Sequence, residues 1–126
     1  MSVGYVDTSC LVAIAFGERG ATALARRLGR FEELVASNLL EAELRAAFLR
    51  EQVEGPEALL ESVSWISPER PLSAEIARVL SAGYVRGADC WHLATALYVA
   101  PEPGELTFVT LDARQREVAA VLGFAV

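Results

Sequence analysis

The chain has 126 residues, a common size for one domain, and 53% of them are hydrophobic while 22% are charged. This balance excludes an intrinsically disordered chain, and no apolar run reaches the roughly 18 residues of a membrane span, so we expect one cytoplasmic domain over residues 1–126. The net charge of -6 argues against a protein that coats nucleic acid through overall positive charge, and the two cysteines lack the spacing of a disulfide framework or zinc site.

Strand-like and helix-like patterns alternate along the whole chain. The predicted elements are a strand at 3–7, helices at 10–17 and 20–30, a strand at 33–36, helices at 38–54 and 57–62, a strand at 64–67, helices at 74–82 and 88–99, a strand at 106–111, a helix at 113–122 and an edge strand at 124–126. The predicted N-caps are Thr8-Ser9, Ser37 and Ser73. This alternation predicts an α/β fold with a mostly parallel sheet of four to five strands, covered by helices on both faces.

Two aspartates follow predicted strands and are candidates for a functional site. Asp7 ends the first strand and Asp112 follows the strand at 106–111. In an open parallel sheet, ligands bind beyond the carboxyl ends of the strands, so these side chains can approach each other if their strands are neighbours. The alternative is that each aspartate only forms a turn or caps a helix.

Helical phase adds two further carboxylates. Glu43 projects from the apolar face of its helix, whereas Glu41 lies on the opposite flank; Glu43 could still bend out to water or pair with an arginine. Asp89 lies in line with Leu93 on its helix, and its alternative role is an N-cap. His92 is interpreted as an ordinary core-edge or surface residue, without a catalytic role.

Four converging carboxylates would repel strongly, and no lysine or obvious inward arginine is at hand to compensate. Ligation by carboxylate oxygens and water suits Mg²⁺ or Mn²⁺ rather than zinc. Such an ion promotes hydrolysis of a phosphate ester, which is therefore the expected class of reaction.

The acidic residues lie in motifs that resemble a known family. These motifs are Asp7-Thr8-Ser9, Ala36-Ser37 followed by Glu43-Leu44, Gly87-Ala88-Asp89-Cys90-Trp91-His92-Leu93-Ala94-Thr95-Ala96, and Phe108-Val109-Thr110-Leu111-Asp112 followed by Gly123. In this order and at these separations they resemble a PIN domain, and within that family a VapC-type ribonuclease toxin. The resemblance implies a PIN-like three-layer α/β/α domain that acts as a metal-dependent endoribonuclease.

The resemblance also implies roles for individual residues. Asp7 and Asp89 would be the principal ligands of Mg²⁺ or Mn²⁺, and Glu43 and Asp112 would complete the pocket directly or through water. The hydroxyl groups that would orient these carboxylates, or else act only as caps or strand-end residues, are those of Thr8, Ser9 and Thr110.

The family further implies a homodimer, a structured RNA substrate such as transfer or ribosomal RNA, and a cognate antitoxin that covers the active site. No basic stripe for RNA is apparent in this acidic chain. The candidate phosphate-binding residues near the predicted pocket edge are Arg45, Arg50, Arg86, Arg114 and Arg116.

Two other functions remain open at this point. A phosphoryl-transfer domain with Asp7 as nucleophile would usually carry a lysine near the phosphate, and this chain has none. A catalytically weak PIN-like module that binds a protein or RNA is the non-enzymatic alternative, although all four acidic positions are filled.

Overall fold

A computed structural model describes residues 2–126. Within that range the strands are β1 (Val3–Val6), β2 (Glu33–Ser37), β3 (Ser64–Ile66) and β4 (Leu106–Val109). The α-helices are α1 (Thr8–Ala15), α2 (Ala21–Gly29), α3 (Leu39–Arg50), α4 (Glu57–Glu61), α5 (Ser73–Ala82), α6 (Gly87–Val99) and α7 (Ala113–Leu122). None of these helices combines the length and the apolar composition that crossing a membrane requires.

The four strands form one sheet in the order β3-β2-β1-β4, and every neighbouring pair is parallel. The predicted α/β fold is confirmed. Since parallel strands end at the same edge of a sheet, the carboxyl ends of β1, β2 and β4 open onto one face of the molecule. The expected edge strand at 124–126 is reduced to one parallel bridge between Ala125 and Thr107.

Helices cover both faces of the sheet, as a buried parallel sheet requires. On one face Tyr5 of β1 packs in a core with residues of α5, α6 and α7, among them Leu93. On the other face the next residue of β1, Val6, packs with residues of α1 to α4, among them Leu44. The alternation of neighbouring side chains along β1 therefore builds two cores, and the molecule has three α/β/α layers.

Several predicted boundaries were wrong at the helix starts and strand ends. The N-cap of α1 is Asp7, so Thr8 and Ser9 lie inside the helix. Asn38, not Ser37, precedes α3, although the Ser37 hydroxyl still accepts a hydrogen bond from the Leu39 amide at 3.1 Å. These differences arise because β1 and β2 end one residue earlier or later than the apolar pattern indicates.

Three further boundaries differ. The helix α5 begins at Ser73 and has Leu72 as its N-cap. The helix α3 ends at Arg50 rather than at residue 54, because Gln52 adopts a positive φ of 55° that breaks the helix. The strand β4 stops at Val109, where its partner β1 also ends, since Val6 and Val109 are the last paired residues. Asp7 and Thr110 therefore both leave the sheet at the same level.

The two cysteines are buried and unpaired within residues 2–126. Burial raises the pKa of the Cys10 thiol to about 12, so it stays protonated at neutral pH.

Candidate active site

Asp7 lies at the junction of β1 and α1 and is only 5% exposed. Its Oδ2 atom accepts hydrogen bonds from the Ser9 amide at 3.2 Å and the Ser9 hydroxyl at 2.7 Å. The Asp7 amide donates to the Val109 carbonyl at 3.0 Å. Asp7 is therefore the N-cap of α1, and Ser9 orients its carboxylate through Oδ2. The other oxygen, Oδ1, takes no part in these two hydrogen bonds.

Asp112 and Thr110 lie on the chain between β4 and α7. Asp112 is the N-cap of α7, and its Oδ1 accepts a hydrogen bond from the backbone amide of Gln115 at 2.8 Å. The Thr110 hydroxyl lies 2.6 Å from Gln115 Oε1 and 3.4 Å from Asp7 Oδ2. One hydroxyl has one hydrogen, so the shorter bond to Gln115 dominates and Thr110 contributes little to the orientation of Asp7.

Glu43 of α3 is one-third exposed and is hydrogen-bonded to Thr8 and His92 rather than paired with an arginine. Its Oε1 accepts hydrogen bonds from the Thr8 hydroxyl and from His92 Nε2, each at 2.7 Å. Burial favours a higher pKa for Glu43, but these two hydrogen bonds and the charge of His92 outweigh burial and lower the pKa. Glu41 on the same helix instead pairs with Arg45 at 2.8 Å, outside the site.

Asp89 lies in the first turn of α6, whose N-cap is Arg86, so the alternative in which Asp89 itself caps the helix is wrong. Its side chain is 22% exposed, and the Arg86 Nε atom is 3.8 Å from Asp89 Oδ2. Burial, then the negative charges of Asp7 and Asp112, raise the pKa of Asp89, and Arg86 and His92 oppose them. Asp7 and Asp112 therefore lie close enough to Asp89 for their charges to act on it.

Two buried polar residues of the site were missed by the sequence analysis. His92 is fully buried, so its interpretation as a core-edge or surface residue was wrong. Gln115 is also fully buried and links Thr110 to Asp112, with its Nε2 3.4 Å from the Asp89 carbonyl. The available signal was helical phase, because Gln115 shares its face of α7 with the buried Val118.

No lysine or obvious inward arginine was expected to compensate these carboxylates, and the Arg86 side chain beside Asp89 is 80% exposed. Arg86 approaches Asp89, and Arg116 donates from Nη2 to the Thr110 carbonyl at 2.9 Å. The other candidate arginines pair elsewhere. Arg45 pairs with Glu41, Arg50 with Glu51, and Arg114 with Glu117 and the Tyr84 carbonyl.

The donor set is chemically suited to a hard divalent cation. It consists of carboxylate oxygens, with Asp7 and Asp89 partly withdrawn from water and Asp89 under repulsion from its neighbours. Within residues 2–126, no three His, Cys, Asp or Glu side chains already surround one point as a set of metal ligands. The residues fit a Mg²⁺-type site in chemistry, with their oxygens not yet converged on one position.

The sequence was compared with families, curated proteins and solved structures. A model of the PIN domain matches residues 4–121, from β1 into α7. Searches of curated proteins and of solved structures found no match. The family match covers nearly the whole chain and includes all four acidic residues. The chain belongs to the PIN domain family.

Proposed function

We propose that this protein is a metal-dependent endoribonuclease with Asp7, Glu43, Asp89 and Asp112 at its active site. PIN domains are generally nucleases. The observation that carries the proposal is the PIN domain match over residues 4–121, and the negative charges of Asp7 and Asp112, which act on Asp89 after burial, support it. A bound cation would relieve the repulsion of Asp89 by Asp7 and Asp112. Arg86 offsets it only in part, because its side chain is 80% exposed and its Nε atom lies 3.8 Å from Asp89 Oδ2.

Mg²⁺ or Mn²⁺ would be held by Asp7 and Asp89, with Glu43 and Asp112 completing the site directly or through water. When bound, such an ion activates a water molecule and stabilises the charge that develops on the phosphate. The remaining chemistry belongs to the chain. The Ser9 hydroxyl fixes Asp7 through Oδ2, and the backbone amide of Gln115 fixes Asp112 through Oδ1.

Arg86 and Arg116 are the arginines best placed to hold the phosphates of the RNA. The Arg86 side chain is 80% exposed beside Asp89, and Arg116 is anchored to the Thr110 carbonyl. Guanidinium groups bind phosphate oxygens in bidentate fashion. Two such contacts provide local attraction for RNA on a protein whose net charge is -6.

The test is cleavage of total RNA by purified protein with Mg²⁺ or Mn²⁺, and with EDTA. We expect the wild type to cleave only with metal. Asp7→Asn and Asp89→Asn should lose more than the roughly 100-fold that removal of an outer-sphere partner costs, because each removes a direct ligand. Glu41→Gln is the matched control for Glu43→Gln on α3 and should keep full activity. Identical cleavage by wild type and Asp7→Asn would refute the proposal.

We further propose that the enzyme is a VapC-type toxin, a homodimer that cleaves transfer or ribosomal RNA and is inhibited by an antitoxin protein. The support is the order of its motifs around Asp7, Glu43, Asp89 and Asp112 within a PIN domain. Induced expression in a bacterial host should stop growth, whereas Asp7→Asn should not. Continued growth with intact RNA at full expression of the wild type would contradict the toxin role.

A further inference from the structure

His92 contacts the Glu43 carboxylate, and it is the only histidine of the chain. Its side chain is fully enclosed, with Nε2 2.7 Å from Glu43 Oε1 and 3.7 Å from Asp7 Oδ1. A glutamate carboxylate is ionised at neutral pH, and an ionised carboxylate only accepts hydrogen bonds. The hydrogen in the short contact therefore belongs to His92 Nε2.

The other ring nitrogen of His92, Nδ1, lies close to hydroxyl groups from two strands. His92 Nδ1 lies 3.1 Å from the Tyr5 hydroxyl of β1 and 3.1 Å from the Ser37 hydroxyl of β2. A tyrosine hydroxyl is protonated at neutral pH, so the Tyr5 hydroxyl is available as a donor. With partners on both nitrogens, the ring has one defined orientation.

The contact with His92 uses one oxygen of the Glu43 carboxylate, Oε1. Oε1 takes hydrogen bonds from Thr8 and His92, which leaves Oε2 as the oxygen for a cation or its bound water. A glutamate with three side-chain torsions otherwise has considerable rotamer freedom to lose when it orders. A buried donor that is itself fixed by β1 and β2 removes that freedom before a ligand arrives.

We infer that His92 is a positioning residue of the proposed nuclease, which fixes Glu43 through Nε2 and so presents the second oxygen of Glu43 to the reaction. This inference rests on the proposed function and concerns a residue that does not touch the substrate. Its role is carried by one hydrogen bond rather than by the volume of the ring.

Two substitutions separate the hydrogen bond from the packing. In His92→Gln the amide group reaches the position of Nε2 and can still donate to Glu43, whereas in His92→Asn it reaches only the position of Nδ1. Both lose the ring. We expect His92→Asn to lower kcat about 10- to 100-fold with little change in KM, the range for residues that orient metal ligands, and His92→Gln to restore most of the rate. Equal losses in both variants, or none in His92→Asn, would overturn the inference.

A second measurement does not depend on cleavage. Because the chain has one histidine, the spectrum of ¹⁵N-histidine-labelled protein carries signals from His92 alone. We expect Nε2 to be protonated in the wild type and its signal to move in Glu43→Gln. Titration with Mg²⁺ should also shift these signals, and His92→Asn should need about 10- to 100-fold more Mg²⁺ to saturate a fluorescence or calorimetric signal.

The results distinguish this inference from the proposed function. An Nε2 atom without a proton, or wild-type Mg²⁺ affinity in His92→Asn, would overturn the positioning role while RNA cleavage by the wild type still stood. A wild type that neither cleaves RNA nor responds to Mg²⁺ would instead remove the proposed function on which the inference rests.

Discussion

Replacing Asp89 by asparagine should make the metal-free protein more stable. The Asp89 side chain is 22% exposed, and its pKa is raised first by burial and then by the charges of Asp7 and Asp112. Asparagine keeps the shape of the side chain and removes its charge. The substitution therefore removes a repulsion from the native state that the unfolded chain does not have.

The size of the effect follows from the surroundings of Asp89. Two carboxylates a few ångströms apart in water repel by about 1 kcal/mol, and partial burial increases this value. Loss of the Arg86 contact, at 3.8 Å and with an 80% exposed arginine, costs no more than about 0.5 kcal/mol. The net gain in the free energy of unfolding should be about 0.5–1 kcal/mol, which raises Tm by about 2–4 °C in a domain of this size.

The gain has a defined dependence on pH. An acid whose native pKa is raised binds more protons in the native state, so wild-type stability falls as pH rises from 3.8, the ordinary aspartate value, through the native pKa. The gain from Asp89→Asn should therefore be present at pH 7 and disappear below 3.8. Urea unfolding in EDTA at both pH values measures it.

The control is Glu117→Gln, an exposed residue 3.3 Å from Arg114. It should change stability by less than about 0.5 kcal/mol. A loss of 1 kcal/mol or more in Asp89→Asn at pH 7 in EDTA would refute the reasoning, because it would mean that Asp89 is stabilised, not repelled, by its surroundings.

Two other substitutions test the structure around the site. Glu43→Gln should act in the opposite direction and cost about 1 kcal/mol at pH 7, since ionic hydrogen bonds contribute more than this when buried and Glu43 is one-third exposed. Because the Glu43 pKa is lowered, the stability that Glu43 contributes should be lost as pH falls below 4.5 through the native pKa. Equal free energies of urea unfolding for the wild type and Glu43→Gln at pH 7 would contradict this prediction. Gly4→Ala should destabilise the protein by about 1–3 kcal/mol in a thermal melt, because the new Cβ would lie 2.9 Å from the Phe31 ring. The control, Gly29→Ala, has open space around the new Cβ and should be neutral or stabilising. Equal effects of the two substitutions would count against this packing.

Much of the fold could be predicted from the sequence, because apolar runs and helical phase directly reflect burial in a covered parallel sheet. The strands at Val3–Val6 and Glu33–Ser37 were placed within a residue of their ends. The strand at 106–111 was drawn too long because Leu111 continues the apolar run. Pairing with β1 determines where that strand ends, and pairing is a tertiary property that the local pattern does not contain.

The site was predictable where one element determines the direction of a side chain. Helical phase distinguished Glu43, which contacts Thr8 and His92, from Glu41, which pairs with Arg45. It did not reveal the burial of His92, because the partners that satisfy it come from distant parts of the chain. Tyr5, for example, is 87 residues away. Periodicity indicates which face a residue occupies, whereas its hydrogen-bond partners depend on the complete fold.

The carboxylates at this edge of the sheet are proposed to bind a divalent cation. Anomalous diffraction from crystals grown with Mn²⁺ tests it most directly, because it locates the ion. We predict a peak about 2.1 Å from an oxygen of Asp7 and an oxygen of Asp89, and no peak in Asp7→Asn crystals under the same conditions. A wild-type structure in which Mn²⁺ is absent from this edge, or binds only elsewhere, would contradict the account.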